Sequence, residues 1–277
     1  MKRLRERYTE RRTVLFLICV VVMCAFAAYV ISATPWDSTR CPGCLGYYKG
    51  ARTLALSPSF FLDLKQMAGL QNFYSQLGQD KWIIGKVFPG VKNGYFVDIG
   101  SWDAEIDSNS KALEELGWSG ICIDPFPRNW RNRNCHLFKE VVYSRKGEVI
   151  KFRMAGIIGG IDTHIDRHAT KVQSSPVVEL TTTTIGDILE RANAPRFIHY
   201  VNIDTEGSEM EILKAFPFSE YTVGAFTIEH NFEEPKRRLI REFLEHKGYR
   251  FVKEQIVDDW YILGDKDRLP GLTSKMP

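Results

Sequence analysis

Hydrophobic and polar positions along this chain fall into short apolar runs separated by segments of helical spacing. Residues 95–99, Tyr-Phe-Val-Asp-Ile, form a nearly continuous apolar run that stops at Gly100. That is the pattern of a buried strand ending where its backbone turns sharply. Ser108 then serves as a helix cap, and Ala112, Leu113 and Leu116 recur at helical spacing until Gly117 ends the element. A second buried strand, 120–123, delivers Asp124. Further runs predict strands at 137–142, at 149–154, at 177–182, up to Asp204 and at 223–228. Between them, Thr184 with Asp187 and Ser208 with Glu211 read as capping boxes, and Glu234-Pro235 opens a helix carrying Leu239, Ile240, Phe243 and Leu244. Residues 249–252 and 260–263 predict a closing antiparallel pair. Residues 59–88 read as mostly helical, broken near Gly69 and Gly78, whereas 156–176 have no period and read as a surface loop over the site. Strands alternating with helices predict a doubly wound, mostly parallel α/β sheet.

The start of the chain has a different pattern. Residues 14–31 carry no charge, a length sufficient to cross a bilayer core of roughly 30 Å as a helix. Before them stand Lys2, Arg3, Arg5, Arg7, Arg11 and Arg12 against Glu6 and Glu10, so the amino end is expected in the cytoplasm and the remainder on the far side. The expectation is a single-pass type II membrane protein. Small residues at Ala25, Ala27, Ala28, Ser32 and Ala33 leave a cleaved signal peptide as the alternative. The chain then divides into a basic arm (1–12), a transmembrane helix (13–32), a stem (33–58), an enzyme-sized domain (59–264) and a tail (265–277).

Charge adds little. The 37 lysines and arginines exceed the 34 acidic residues by three, an excess that owes much to the arm, so the domain gives no electrostatic case for nucleic acid. Of the six cysteines, Cys41 and Cys44 have the spacing of a redox pair or half a zinc site, but no second pair lies nearby to complete tetrahedral ligation. A structural disulfide in an oxidising lumen, within the stem or to a partner chain, is the favoured reading. Cys122 and Cys135 read as small buried residues rather than nucleophiles.

Candidate chemistry gathers at the ends of the predicted strands. A dinucleotide site would want Gly-x-Gly-x-x-Gly, and after Gly100 the chain instead has Ser101, Trp102, Asp103 and Ala104. Asp98 and Asp103 would repel a phosphate but suit a ligand bearing a sulfonium and an ammonium, which S-adenosylmethionine does. Asp124, ending the second strand, can accept hydrogen bonds from both ribose hydroxyls. Asp204 and Glu206 should face the same cleft, and the strand at 223–228 presents Glu229, His230 and Asn231 beside them. For Glu206, complementarity to a helix N-terminus is the competing reading. The cluster Tyr74-Ser-Gln-Leu-Gly-Gln-Asp80 is either a helix start capped by Ser75 or a set of ligand contacts. His164, His168, Asp162 and Asp166 have spacing compatible with a metal but read as solvated loop residues.

The blocks Tyr74 to Asp80, Gly94-Tyr-Phe-Val-Asp-Ile-Gly-Ser101, Ser108-Asn109, Leu116-Gly-Trp118 through Cys122-Ile-Asp-Pro125, and Asn202-Ile-Asp-Thr-Glu-Gly-Ser-Glu209 together resemble the FkbM-type family of S-adenosylmethionine-dependent methyltransferases. The resemblance spans roughly residues 73–263. It implies a seven-stranded, Rossmann-like sheet with one antiparallel strand, and O-methyl transfer to a sugar or related hydroxyl. It places Asp98, Gly100 and Ser101 at the methionine side of the cofactor and Asp124 at its ribose. Gln76, Gln79, Asp80, Asp103 and Asn109 surround the pocket, and Asp204 and Glu206 are active-site residues. Two positions depart from the family pattern: Ala104 stands where glycine is usual after aspartate, and Asp124 where glutamate is commoner. The acceptor proton is expected to pass to Asp204, Glu206 or His230, with a divalent cation on the carboxylates as an added option. The leading expectation is a lumenal O-methyltransferase of the Golgi or endoplasmic reticulum acting on a glycan or other secretory-pathway hydroxyl. The alternative is a catalytically silent relative that serves as a membrane-tethered binding or trafficking factor.

Overall fold

A computed structural model describes residues 72–264. The basic arm, the apolar run 14–31, the stem with Cys41 and Cys44, the expected helix over 59–71 and the tail lie outside the described residues. Among the described residues no helix is long and apolar enough to cross a membrane.

The domain begins with α1 (Gln79–Trp82), which widens into a π-helical turn at Ile83–Val87. There follow β1 (Tyr95–Ile99), α2 (Lys111–Glu115), β2 (Ser119–Ile123), β3 (His136–Phe138), β4 (Val141–Val142), β5 (Val149–Arg153), β6 (Gly160–Ile161), α3 (Ala169–Val172) and β7 (Val177–Thr183). The chain continues through α4 (Ile185–Arg191), β8 (Phe197–Ile203), α5 (Glu209–Lys214), β9 (Thr222–Glu229), α6 (Lys236–His246), β10 (Tyr249–Gln255) and β11 (Asp258–Leu263). Seven strands form one sheet in the order β10-β11-β9-β8-β1-β2-β3. Its pairs are parallel except that β11 runs against both neighbours, the single antiparallel strand that the family resemblance implies.

Central strands of such a sheet are covered on both faces, which explains their largely apolar runs. Phe96, Val97, Ile121, Tyr200, Val201 and Phe226 are all fully buried. From β1 the chain winds outward through β2 and β3, then returns to build β8 on the other side of β1. The reversal opens a crevice between the carboxyl ends of β1 and β8, where an open α/β sheet binds its ligand.

Four expectations need correction. The strand expected over 137–142 is two strands: β3 ends at Phe138, and Val141 and Val142 pair with Thr182 and Thr183 in a second sheet of order β4-β7-β5-β6. Lys139 and Glu140 interrupt the apolar run, and that break lets the chain change sheets. The segment 156–176 is not merely a loop; it holds a 3-10 turn at Gly156–Ile158, strand β6 and helix α3. Thr184 caps α4 as expected, its hydroxyl accepting from the Asp187 amide at 3.2 Å, but Ser208 does not cap α5. Its hydroxyl donates to Thr205 Oγ1, while the Glu209 carboxylate, a stronger acceptor, takes the amides of Thr205 and Gly207. Finally, Cys122 and Cys135 are buried as expected but are not free thiols, since they form a disulfide with a Cα–Cα distance of 5.9 Å.

Candidate active site

Three strand ends converge where the crevice opens. Gly100 turns β1 away with φ +86°, and its amide and that of Ser101 both donate to the Ile123 carbonyl at the end of β2. The amide of Asp204, after β8, donates to the Ile99 carbonyl at 3.0 Å. These turns frame a cavity of about 320 Å³ whose opposite wall is built by residues 156–161, Arg167 and His168.

Ten of the twelve candidate residues line this cavity: Gln76, Gln79, Asp98, Gly100, Ser101, Asp103, Asn109, Asp124, Asp204 and Glu206. Asp80 and His230 do not. Asp80 is fully buried, with its carboxylate accepting from the amides of Tyr74, Ser75 and Lys81 and from the Ser75 hydroxyl. It therefore ties the 74–81 segment together, and the choice left open for that cluster divides: Gln76 and Gln79 reach the cavity, Ser75 and Asp80 build the turn. His230 directs Nδ1 to the Phe232 amide and Nε2 toward Asp259, 3.5 Å away. Side chains alternate along β9 and its extension, so Glu229 and Asn231 meet the cavity and His230 does not.

The carboxylates at and after the ends of β1 and β2 are held from behind. Asp98, 1 % exposed, accepts from Ser110 Oγ and from Asn202 Nδ2, and burial raises its pKa despite those bonds. Asn202 in turn accepts from Thr227, which is bonded to Tyr200, so a buried row of polar groups links β9, β8, β1 and the start of α2. Arg133, its side chain fully buried, pairs with Glu114 and donates to Ser110 Oγ and to the Ala104 carbonyl. Asp103 is tied by the amides of Glu105 and Ile106 and by Asn129; burial opposes ionisation, but these bonds outweigh it and lower the pKa. Asp124 takes the Trp102 amide on one oxygen and the Phe126 amide on the other, at 3.0 and 2.7 Å. Burial nevertheless pushes its pKa up to about 6. Ala104 is buried and is not on the cavity wall, so its methyl group does not crowd a ligand there.

Four cavity-lining residues have buried polar atoms without a hydrogen-bond partner: Ser101 Oγ, Asn109 Oδ1, His168 Nδ1 and Glu229 Oε2. Such atoms are costly unless a ligand or water satisfies them. Ser101 and Asn109 line the same cavity as Asp98 and Asp124, and that set fits a ligand rich in hydroxyl, amino and cationic groups.

The far end of the cavity is acidic. Asp204, Glu206 and Glu229 each place a carboxylate oxygen within 4.8 Å of the others. Burial, followed by repulsion from neighbouring carboxylates, raises all three pKa values: Asp258 and Glu206 act on Asp204, Asp204 and Glu206 act on Glu229, and Glu209 and Asp166 act on Glu206, which is pushed up to about 8. Asn231 Nδ2 donates to Glu206 Oε2 at 3.2 Å, and His168 Nε2 lies 4.0 Å from the same oxygen. Sequence reasoning did not single out Glu229 as a site residue and left His168 on a solvated loop. The strand-end position of Glu229 was the available signal, whereas nothing local marks His168 as a wall residue.

Residues 98–251, more than half of the chain, match the Methyltransferase FkbM domain. No curated protein matches the chain. The matched span begins at Asp98 itself and contains Asp124, Asp204, Glu206 and Glu229, so the cavity and the family match coincide, and the chain belongs to the FkbM methyltransferase family.

Proposed function

We propose that this protein is an S-adenosylmethionine-dependent O-methyltransferase, anchored by residues 14–31, that methylates a hydroxyl of a glycan or another secretory-pathway acceptor. The observation that carries the reading is the cavity wall at the switch point. There Asp98, Asp124 and the unpartnered Ser101 Oγ and Asn109 Oδ1 offer acceptors to a cationic, hydroxyl-rich ligand in a chain of a methyltransferase family. In this assignment Asp124 accepts from the ribose hydroxyls. Gly100, Ser101 and Asp98 face the methionine portion, with Gln76, Gln79, Asp103 and Asn109 around them. When bound, S-adenosylmethionine supplies an electrophilic methyl group.

The chain's part is alignment, exclusion of water and disposal of a proton. Displacement at a methyl group requires the acceptor oxygen in line with the departing sulfur, so holding that geometry supplies much of the rate. Asp204 and Glu206 line the same cavity beside the Gly100 turn, and their raised proton affinity is what a group receiving an alcohol proton needs. Ile106 and Ile157, 55 % and 46 % exposed, flank the cavity with Trp102 and Arg167, an apolar and polar mixture suited to a sugar ring.

The Cys122–Cys135 disulfide supports the expected topology, because such bonds persist in oxidising compartments such as the lumen of the secretory pathway. A partner linked through Cys41 or Cys44 belongs to the same expectation.

Calorimetry on the detergent-solubilised full chain tests the reading, with S-adenosylmethionine, S-adenosylhomocysteine and NAD as titrants. Micromolar binding of the first two and none of NAD is expected. Asp204→Asn and Glu206→Gln should keep cofactor binding but lose S-adenosylhomocysteine release in a screen of saccharide acceptors. A folded chain that binds neither cofactor form would refute the assignment.

A further inference from the structure

We propose that Asp204, Glu206 and Glu229 form a binding site for a hard divalent cation, of the magnesium or manganese kind, at the acceptor end of the cavity. The proposal rests on these three side chains and holds whichever cofactor occupies the other wall.

Two of the ligands come from the turn after β8 and the third from the last residue of β9. Adjacent parallel strands thus bring oxygens from separate parts of the chain to within 4.8 Å of one another. The Glu209 carboxylate fixes the turn by accepting from the amides of Thr205 and Gly207. Gly207 is required there, since a Cβ on it would lie 1.8 Å from the His164 carbonyl oxygen. Asn231 steadies Glu206 through the bond from Nδ2. The donor set is oxygen alone, which favours magnesium, calcium or manganese over softer metals.

A separate observation points to a missing ligand. Glu229 is only 7 % exposed, lines the cavity, and its Oε2 has no hydrogen-bond partner. A buried carboxylate oxygen left bare is costly, and carboxylates buried together must be neutralised either by protons or by a bound cation. Among the described residues no lysine or arginine forms an ion pair with any of the three. His168 Nε2 stands 4.0 Å from Glu206 Oε2, beyond hydrogen-bond distance. Lys236, the nearest available ammonium by sequence, is committed to Asp166 and Glu209. A cation fills the gap, and because all three carboxylates line the cavity, its remaining coordination positions face an incoming acceptor. There it would polarise the acceptor hydroxyl.

The test uses the full chain in detergent, stripped with chelator and exchanged into metal-free buffer near neutral pH. Manganese is titrated and followed by paramagnetic resonance, and magnesium by calorimetry and thermal shift. One site per chain with sub-millimolar or tighter affinity and a rise in melting temperature is expected. Glu229→Gln should weaken manganese binding at least about tenfold; if that variant does not fold, Glu206→Gln is read in its place. S-adenosylmethionine titrated into the same samples separates the two readings, because loss of the cation site leaves the Asp124 wall intact. Absence of stoichiometric binding, or binding unchanged in the folded variant, overturns the proposal.

Discussion

The carbonyl oxygen of Asp204 lies where a side chain on Gly100 would begin: a Cβ there would stand 1.7 Å from it. The turn after β1 and the acidic turn after β8 are thus in backbone contact at the crevice, and Gly100 combines that approach with a left-handed φ. Gly100→Ala should cost at least about 2–3 kcal/mol, from backbone strain plus the displaced carbonyl. For a domain of this size that corresponds to a melting temperature lower by roughly 5–10 °C. Calorimetric melting measures it, and an unaltered transition with intact cofactor binding would show that the two turns do not touch.

Asp124 sets a pH limit on the cofactor wall. Burial raises its carboxyl to about 6, above its ordinary value, so the folded empty site holds the proton more tightly than the unfolded chain does. By linkage, this group opposes folding increasingly as pH rises from the unfolded value toward about 6, and the effect is complete above it. Recognition of two ribose hydroxyls needs the ionised form. Affinity for S-adenosylmethionine should therefore fall as pH drops below about 6, approaching tenfold per pH unit. Asp124→Asn should bind about 10–100-fold more weakly near neutrality, the equivalent of one to two charge-assisted hydrogen bonds, and should lack that acid limb. Titrations across the pH range would decide, and a wild-type affinity flat below about 6 would remove Asp124 from the ribose contact.

Much of this arrangement can be read from the chain, and the parts that cannot have physical reasons. Strands β1, β2 and β8 are legible because burial on both faces leaves largely apolar runs, interrupted only by Asp98 in β1 and by His199 and Asn202 in β8, that end at Gly100, Asp124 and Asp204. That same uniformity hides which face each side chain takes. In 222–228 no polar alternation marks the cavity side, so His230, with the attractive chemistry, could not be separated from Asn231, which has the right direction. Asp80 misled because a carboxylate that caps a turn and one that meets a ligand look alike in a polar cluster. Contacts distant in sequence, such as Arg133 with Glu114 and Ser110, leave no local pattern.

The Cys122–Cys135 bridge closes a short loop next to Asp124 and should contribute about 3 kcal/mol. Replacing both cysteines with alanine should lower the melting temperature by roughly 6–12 °C. Peptide mapping of protein purified without reductant should recover the linked pair. Free thiols at both positions in such a sample would remove the main support for an oxidising compartment.

Arg133 is expected to be among the most sensitive positions outside the cavity wall. Arg133→Met leaves Glu114, with a side chain 2 % exposed, buried without its cation, a change that typically costs about 3–5 kcal/mol. Adding Glu114→Leu should restore a large part of that loss, because the bare charge is removed. Urea unfolding of the single and double variants reads both numbers, and equal destabilisation would mean that lost contacts, not the stranded carboxylate, dominate.

The cavity's two sides are written differently in the chain. The cofactor side is assembled from the ends of separate sheet strands, so changing it perturbs the core. Much of the opposite wall comes from one contiguous insertion, residues 156–168, carried by the small second sheet and fastened to α6 through Asp166 and Lys236. Under the proposed function, exchanging this single short cassette should change acceptor preference while leaving the strand-end half untouched, a division of labour that would let one scaffold serve many hydroxyl chemistries.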